Sequence, residues 1–143
     1  MSEAHDRPHI LYIDDEVENL DNFRFQFRRF YQVHTALSAA EAEKILDQHD
    51  VKVVIADQRM PEETGVDFLS RIVGRFPPMV RMILTGYSDI SAIIDAVNKG
   101  KIFHYFKKPF DEGEVRQVVD NALEVLHLER YNFQLIEDLK QRE

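Results

Sequence analysis

The chain has 143 residues and no cysteine, which indicates one globular domain without disulfides, thiol nucleophiles or cysteine-based zinc sites. Its formal net charge of -8 argues against nucleic-acid binding by this segment, because no basic face is evident that could neutralise phosphates. No apolar run approaches the roughly 20 residues needed to cross a bilayer, and the polar N-terminus lacks a signal-peptide core. We therefore expect a cytoplasmic protein with no membrane partner.

Five short apolar runs alternate with five stretches of helical spacing along the chain. The predicted strands cover residues 9–13, 31–36, 51–56, 80–84 and 101–106. The predicted helices cover residues 17–30, 39–48, 66–75, 89–98 and 111 to the end. The second strand is the most polar, which favours an edge position, and Ser38 with Glu41 has the spacing of a helix N-cap and capping box. Strict alternation predicts right-handed βαβ units and an α/β fold with a parallel sheet covered on both faces.

Polar side chains follow four of the predicted strands. They are Asp14 and Asp15 after the first strand, Asp57 after the third, Thr85 after the fourth and Lys108 after the fifth. The carboxyl ends of parallel strands share one edge of a sheet, so these groups converge if the strands are neighbours. Three adjacent carboxylates repel one another, and a divalent cation relieves that repulsion. Mg²⁺ suits such oxygen ligands, and the backbone carbonyl of Arg59 could supply one more.

A cation beside an aspartate, a lysine and a hydroxyl is also a set of groups that can carry out phosphoryl transfer. Asp57 would be the nucleophile and would form an aspartyl phosphate, while Lys108 and Thr85 would stabilise the phosphoryl oxygens. The sequence contains no glycine-rich phosphate loop, so the phosphoryl group would arrive on an activated donor. Judged from the stretch around Asp57 alone, an aspartate that merely caps a turn is an open alternative.

These residues resemble the receiver domain of two-component response regulators over about Ile10 to Leu126. The motifs that carry the resemblance are Asp14-Asp15, Asp57 with Met60-Pro61 and Gly65, Leu84-Thr85-Gly86 and Lys108-Pro109-Phe110. The resemblance implies a flavodoxin-like (βα)5 fold with strand order 2-1-3-4-5. It also implies a non-enzymatic signalling domain that binds Mg²⁺ and takes its phosphoryl group from a sensor histidine kinase or a phosphotransfer protein.

The resemblance further implies a role for each site residue. Asp57 would accept the phosphoryl group, and Asp15, Asp57 and the Arg59 carbonyl would bind the metal, with Asp14 acting largely through water. Thr85 would move toward the phosphoryl group and Tyr105 would swing inward, which would alter the surface of helix four, strand five and helix five. A half-buried strand aromatic is the alternative for Tyr105. The bond before Pro109 would be cis.

Two long side chains, Arg59 and Tyr87, stand two positions after Asp57 and Thr85. The resemblance places them beside the path of the water that would hydrolyse the aspartyl phosphate. We therefore predict slow autodephosphorylation, with two solvent-exposed side chains of no such effect as the alternative. The six histidines show no ligand spacing with the acids and are interpreted as structural.

The last predicted helix continues well past the point where a receiver usually ends. It carries a heptad seam formed by Val118, Asn121, Val125, Leu128, Asn132, Leu135 and Leu139. Asn132 at a core heptad position favours a parallel two-stranded coiled coil, and hence a homodimer. We expect a receiver at residues 1–126 and, at 127–143, a helical linker to a missing or separate output domain. A single amphipathic helix lying on its own domain is the alternative.

Two further functions compete with a receiver that controls an output. One is a small Mg²⁺-dependent phosphohydrolase that turns over external substrates through the same aspartyl phosphate. It would need a general acid and a substrate-binding insertion, and the sequence shows neither. The other is a pseudo-receiver that only dimerises, which would be expected to have lost an acid or the lysine.

Overall fold

A computed structural model describes residues 7–86, 90–99 and 101–142. Five strands alternate with five helices. The strands are β1 (His9–Ile13), β2 (Gln32–Ala36), β3 (Val51–Asp57), β4 (Val80–Thr85) and β5 (His104–Lys107). The helices are α1 (Val17–Phe27), α2 (Ala39–Gln48), α3 (Gly65–Arg71), α4 (Ile90–Asn98) and α5 (Glu112–Arg142).

The five strands form one parallel sheet in the order β2-β1-β3-β4-β5. This order confirms the predicted flavodoxin-like fold and places the polar strand β2 at an edge. The chain reverses its direction of travel across the sheet between β1 and β3, which are neighbours. Their carboxyl ends form the topological switch point, the usual ligand position in open parallel sheets.

Several element ends differ from the predictions by a few residues. Helix α3 ends at Arg71 rather than near residue 75, because Gly74 adopts a left-handed conformation with φ of 85° and turns the chain. Strand β5 begins at His104 rather than at Lys101, because the Lys101 N–H donates to the Ala96 carbonyl and still closes α4. Neither the glycine conformation nor the hydrogen bond of Lys101 can be read from apolar periodicity.

Ser38 caps helix α2, as predicted, and its hydroxyl accepts the N–H of Glu41. The reciprocal half of the capping box is shifted by one residue, because the Glu41 carboxylate accepts the N–H of Leu37 and not that of Ser38. Both bonds satisfy backbone donors that the first helical turn leaves unpaired.

Two apolar cores lie on opposite faces of the sheet. Helices α1 and α5 pack on one face, around Tyr12, Phe23 and Phe106. Helices α2, α3 and α4 cover the other face, around Leu11 and Ile83. Because both faces are covered, the strands bury nearly continuous apolar runs up to the point where the acids begin.

Helix α5 contributes to the core only along its first half. Its buried residues are Val115, Val119, Ala122 and Leu126. Further along, the Arg130 guanidinium binds the Pro78 carbonyl at 2.7 Å, the Asp50 carboxylate at 2.7 Å and the Val51 carbonyl at 3.4 Å. This cluster of bonds, called here the Arg130 anchor, ties the helix to the amino-terminal edge of the sheet.

The predicted heptad seam is largely exposed on α5. Val118 departs from the prediction, because it packs half-buried against the receiver's own core. Val125, Leu128, Leu135 and Leu139 are between 43% and 66% exposed. Leu128 follows the buried Leu126 by about 200° around the helix, so the seam faces away from the domain.

Candidate functional site

The predicted acids converge at the carboxyl edge of the sheet. Asp14 follows β1 and is fully buried, Asp57 ends β3 and is 4% exposed, and Asp15 is exposed beside them. One carboxylate oxygen from each of the three lies within 4.8 Å of the other two. Acids that are far apart in the sequence therefore form one cluster, as the strand order requires.

Asp14 is held rigidly by three hydrogen bonds. The Tyr12 hydroxyl donates to its Oδ2 at 2.6 Å, the Asn19 amide donates to the same oxygen at 3.1 Å, and the Glu16 N–H donates to Oδ1 at 3.0 Å. Burial, reinforced by the bond to Asp14, raises the pKa of the Tyr12 hydroxyl, which therefore stays a donor. These bonds stabilise a buried carboxylate that would otherwise be costly.

Asp57 is bonded to Lys108, whose ammonium lies 2.7 Å from Asp57 Oδ1. Burial raises the pKa of Asp57 above its ordinary value, and the nearby Asp14 and Asp15 carboxylates act in the same direction. The Lys108 ammonium opposes the rise. Lys108 supplies one positive charge beside three carboxylates, and a divalent cation would neutralise the negative charge that remains.

Lys108, rather than its neighbour Lys107, is the lysine that reaches the acids. Lys107 is the last residue of β5 and is exposed. The Lys108 N–H donates to the Thr85 carbonyl at 2.7 Å, so β4 and β5 are joined directly beside the site. The Lys108–Pro109 peptide is cis, as the resemblance implied.

Thr85 is buried at the end of β4, where its hydroxyl donates to the Gly86 carbonyl at 3.0 Å. Tyr105 is half-buried and packs against the core beneath α4. Arg59 is exposed in the loop after β3, whereas Tyr87 lies outside the described residues. The structure thus brings Asp14, Asp15, Asp57 and Lys108 together and ends β4 with Thr85 beside them.

Gln58 is a supporting residue that the sequence analysis missed. It is 4% exposed, and its side-chain oxygen accepts the Val66 N–H at 2.9 Å. Its backbone carbonyl accepts the Gly65 N–H at 3.0 Å, and its own N–H donates to the Leu84 carbonyl at 3.0 Å. Gln58 therefore joins β3, β4 and the start of α3 immediately behind Asp57. Its position directly after a buried strand was the available signal.

Tyr12 and Asn19 were also missed. Tyr12 stands two residues before Asp14, so both side chains leave β1 on the same side. That spacing was the signal for the buried bond. Asn19 comes from α1, and only the packing of α1 against β1 brings its amide to the carboxylate.

An open groove of about 450 Å³ lies next to the acid cluster. Residues of α1 line one side, including Asn19, Asn22 and Gln26, and Lys108, Pro109 and Phe110 line the other. Polar amides alternate there with apolar side chains, so the groove can receive a partner's polar side chain next to Lys108.

Comparison with known proteins decides the family. A sequence profile described as "Response regulator receiver domain" matches residues 10–120. The chain belongs to this family. Receiver domains are signalling domains of two-component systems that accept a phosphoryl group on an aspartate, and the parallel sheet with its cluster of acids is their architecture.

Relatives and solved structures agree with the assignment. The hydrogenase transcriptional regulatory protein HoxA of Bradyrhizobium diazoefficiens is 36% identical over 121 residues, which are 85% of this chain and 25% of that protein. The transcriptional regulatory protein GlrR of Escherichia coli K12 is 33% identical over 122 residues, covering 85% and 27%. This receiver chain therefore spans about a quarter of the length of these curated relatives.

Two solved receiver domains have the same fold. One is the signal receiver domain of an HD domain-containing protein from Pseudomonas fluorescens Pf-5, with TM-score 0.78, 33% identity and coverage of 85% and 98%. The other is a response regulator receiver domain protein from Clostridium thermocellum, with TM-score 0.79, 34% identity and coverage of 85% and 98%. Within the described part of the present chain, no helix is both long and apolar enough to cross a bilayer.

Proposed function

We propose that this receiver accepts a phosphoryl group on Asp57 and that Asp14, Asp15, Asp57 and the Arg59 carbonyl bind the required Mg²⁺. The observation that carries the proposal is the buried Asp57 carboxylate, bonded to Lys108 at 2.7 Å within a cluster of acids. Burial makes the negative charge of the Asp57 carboxylate costly, and the Lys108 ammonium and a bound Mg²⁺ would supply the compensating positive charges.

In the proposed reaction, a carboxylate oxygen of Asp57 forms a bond to phosphorus as the bond from phosphorus to the donor's imidazole nitrogen breaks. The imidazole keeps the electron pair. Lys108 then turns its ammonium from the carboxylate to a phosphoryl oxygen, and the Thr85 hydroxyl donates to another. Mg²⁺, when bound, neutralises charge that builds up on the transferring group.

The donor is a phosphohistidine of a sensor kinase or a phosphotransfer protein. The groove beside α1 supports this assignment, because Lys108 lines one side of it and the amides of Asn19, Asn22 and Gln26 line the other. A groove of about 450 Å³ accommodates an imidazole together with the helix surface that presents it. Among the described residues that line it, Lys108 is the only basic one, whereas a site for the phosphates of a free nucleotide would be expected to hold several.

The proposed switch couples Thr85 to Tyr105. Thr85 gives up its bond to the Gly86 carbonyl when it turns toward the phosphoryl group. Tyr105 pairs with Ile83 across the β4–β5 ladder and is half-buried, so it can move into the space that Thr85 leaves. The change would reach the surface formed by α4, β5 and α5.

We further propose a homodimer through the exposed seam of α5. Four apolar seam residues, Val125, Leu128, Leu135 and Leu139, are at least 43% exposed and face away from the domain. Asn121 and Asn132 are exposed on the same side and suit a register-setting role. Residues 1–126 then form the receiver, and 127–143 form the dimeric linker to an output domain, in the same chain or separate.

The lengths of HoxA and GlrR support an output domain, because the present chain covers only about a quarter of each. Both are named as transcriptional regulatory proteins. Nucleic-acid contacts would belong to that output domain and not to this segment, whose net charge is -8. We place the protein in the cytoplasm, where its kinase partner would present the phosphohistidine.

Labelling with acetyl phosphate tests the central proposal. With Mg²⁺, intact mass measurement is expected to show one added phosphoryl group on the wild type and on Asp47→Asn, which removes an exposed carboxylate of α2. Asp57→Asn, and the wild type in the presence of a chelator, are expected to stay unlabelled. Labelling of Asp57→Asn at the wild-type level would refute the assignment, and repeated turnover of a phosphate ester would favour the phosphohydrolase.

The dimer requires a separate experiment. Light scattering after gel filtration is expected to show a dimer for the wild type and for Gln141→Glu, and a monomer for Leu135→Glu. Both variants add one negative charge to α5, so only the seam position distinguishes them. A wild-type monomer at high concentration, with and without phosphorylation, would contradict the proposal.

A further inference from the structure

Three histidines meet at the amino-terminal end of the sheet, across the domain from Asp57. His9 begins β1, His34 lies within β2, and His49 directly follows α2. His34 pairs with Leu11, two residues after His9, so His9 and His34 leave the sheet on the same face. Helix α2 packs on that face and delivers His49.

The three imidazoles are in mutual contact. The ring centroids of His34 and His49 are 4.3 Å apart, those of His9 and His34 are 5.1 Å apart, and those of His9 and His49 are 5.8 Å apart. His9 Nδ1 and His34 Nε2 share a hydrogen bond of 2.8 Å. One ring nitrogen from each histidine lies within 4.8 Å of the other two.

The surroundings favour the neutral form of His9 and His34. Burial lowers the pKa of His34 to about 4, and His49, His9 and Arg24 act in the same direction. Burial and His49 also lower the pKa of His9, Lys52 adds to the effect, and Asp50 opposes it. Neutral imidazoles are the form that binds transition metals, so the lowered pKa values of His9 and His34 favour metal binding at neutral pH.

We propose that His9, His34 and His49 form a binding site for a divalent transition metal, and that this metal is Zn²⁺. Zn²⁺ bonds imidazole nitrogens at about 2.0–2.1 Å, which in a tetrahedral site puts the nitrogens about 3.3 Å apart. His9 Nδ1 and His34 Nε2 are closer than that, at 2.8 Å, and one nitrogen from each ring lies within 4.8 Å of the other two. Small ring rotations therefore complete the site, and the His9–His34 hydrogen bond is exchanged for two metal bonds.

The fourth coordination position faces solvent. His49 is exposed and lines an open groove of about 460 Å³ with Asp50, Arg130 and Phe133. A water molecule or an external ligand can therefore complete a tetrahedron on that side. Asp50, whose carboxylate is also bonded to Arg130, offsets part of the repulsion that Lys52 and Arg24 exert on a cation. The acid cluster at one end of the sheet offers oxygen ligands, which Mg²⁺ prefers, and the histidine cluster at the other end offers imidazole nitrogens, which suit Zn²⁺.

The test is a Zn²⁺ titration of tag-free protein by calorimetry in excess Mg²⁺. The Asp57→Asn background is used so that Zn²⁺ binding to the acid cluster is suppressed. One equivalent of Zn²⁺ is expected to bind, and His49→Ala is expected to weaken it at least about tenfold, a loss seen even for outer-shell partners of a metal. His49 is exposed, so the variant should fold. His127→Ala, which removes an exposed histidine of α5, is the matched control and is expected to bind as before.

A second measurement locates the ion. The imidazole nitrogen resonances of His9, His34 and His49 are expected to shift together with one equivalent of Zn²⁺, while those of His104 and His127 stay in place. Zn²⁺ should also raise the melting temperature of the parent protein and not that of His49→Ala. Absence of binding, or equal binding by His49→Ala and the parent, would overturn the proposal.

Discussion

Gly65 is the position where a single methyl group is expected to disturb the site. It is the first residue of α3, and its N–H donates to the Gln58 carbonyl. A Cβ at this position would lie 2.6 Å from the Asp57 carbonyl oxygen and 2.8 Å from Cδ1 of Ile83. Ile83 can rotate a side chain, but the Asp57 carbonyl belongs to the central strand and cannot yield alone.

The magnitude follows from two opposing effects of Gly65→Ala. Restoring an ordinary contact of 3.4 Å requires α3 to move about 0.8 Å from β3, and such overpacking costs about 1–3 kcal/mol. Alanine in a helical conformation recovers about 0.5–1 kcal/mol, because it loses less backbone entropy on folding. We therefore expect the free energy of unfolding to fall by up to about 2.5 kcal/mol, with a middle value of roughly 1 kcal/mol.

Gly113→Ala is the matched control. Gly113 also lies in the first turn of a helix, but its added Cβ would meet only the Asp111 carboxylate, at 3.3 Å. That side chain can move aside at the expense of its bond to the Glu114 N–H. We expect this variant to be unchanged or stabilised by at most about 0.5 kcal/mol.

Urea denaturation of both variants measures the difference. Acetyl phosphate labelling provides a second readout, because displacement of the Asp57 backbone should slow phosphorylation of Gly65→Ala and leave Gly113→Ala at the wild-type rate. If Gly65→Ala is as stable as Gly113→Ala and is labelled equally fast, the close approach of α3 to β3 does not constrain Asp57, and the reasoning is wrong.

Three further predictions concern the acid cluster and the long helix. Tyr12→Phe removes a donor from Asp14 and is expected to weaken Mg²⁺ binding about tenfold; unchanged affinity in an NMR titration would count against a positioning role. Asp57→Asn removes a carboxyl group whose pKa is raised in the folded state. Such a group stabilises the fold while it is protonated at low pH, and this stabilisation is lost as the pH rises through the folded pKa. The variant should therefore melt above the wild type at neutral pH without metal, lose that advantage below roughly pH 4, and gain nothing from Mg²⁺. Arg130→Ala should accelerate amide exchange along the C-terminal third of α5, whereas Lys140→Ala should not; equal protection would show that the anchor is dispensable.

The sequence was sufficient for the architecture because burial on both faces leaves a plain signature. Val53 to Ala56 is a continuous apolar run that stops at Asp57, and the structure ends β3 at that residue. The same logic placed Asp14 and Thr85 at strand ends, whereas the strand order and the choice of Lys108 over Lys107 came from the resemblance to receiver domains. Residues at strand ends are predictable from polarity, and the strand order then decides which of them meet.

Side-chain partnerships across elements were less accessible. The bond from Tyr12 to Asp14 depends on β-strand geometry, which a search for apolar runs does not examine. The three histidines come from β1, β2 and the end of α2, and their contact depends on the β1–β2 register. Spacing along the chain carries no trace of such a cluster, so the interpretation of the histidines as structural residues did not include their contact.

The Arg130 anchor has a mechanical consequence. Helix α5 packs against the sheet along its first half, and Arg130 bonds it a second time at the amino-terminal edge of the sheet, opposite Asp57. A helix held at two points cannot rotate freely. A structural change at the proposed phosphorylation site would therefore reach the residues beyond Arg130 as a small tilt of α5 or a small shift along its axis. In the proposed dimer, an attached output domain would then sense how the two α5 helices are aligned with each other, rather than how far either one has turned.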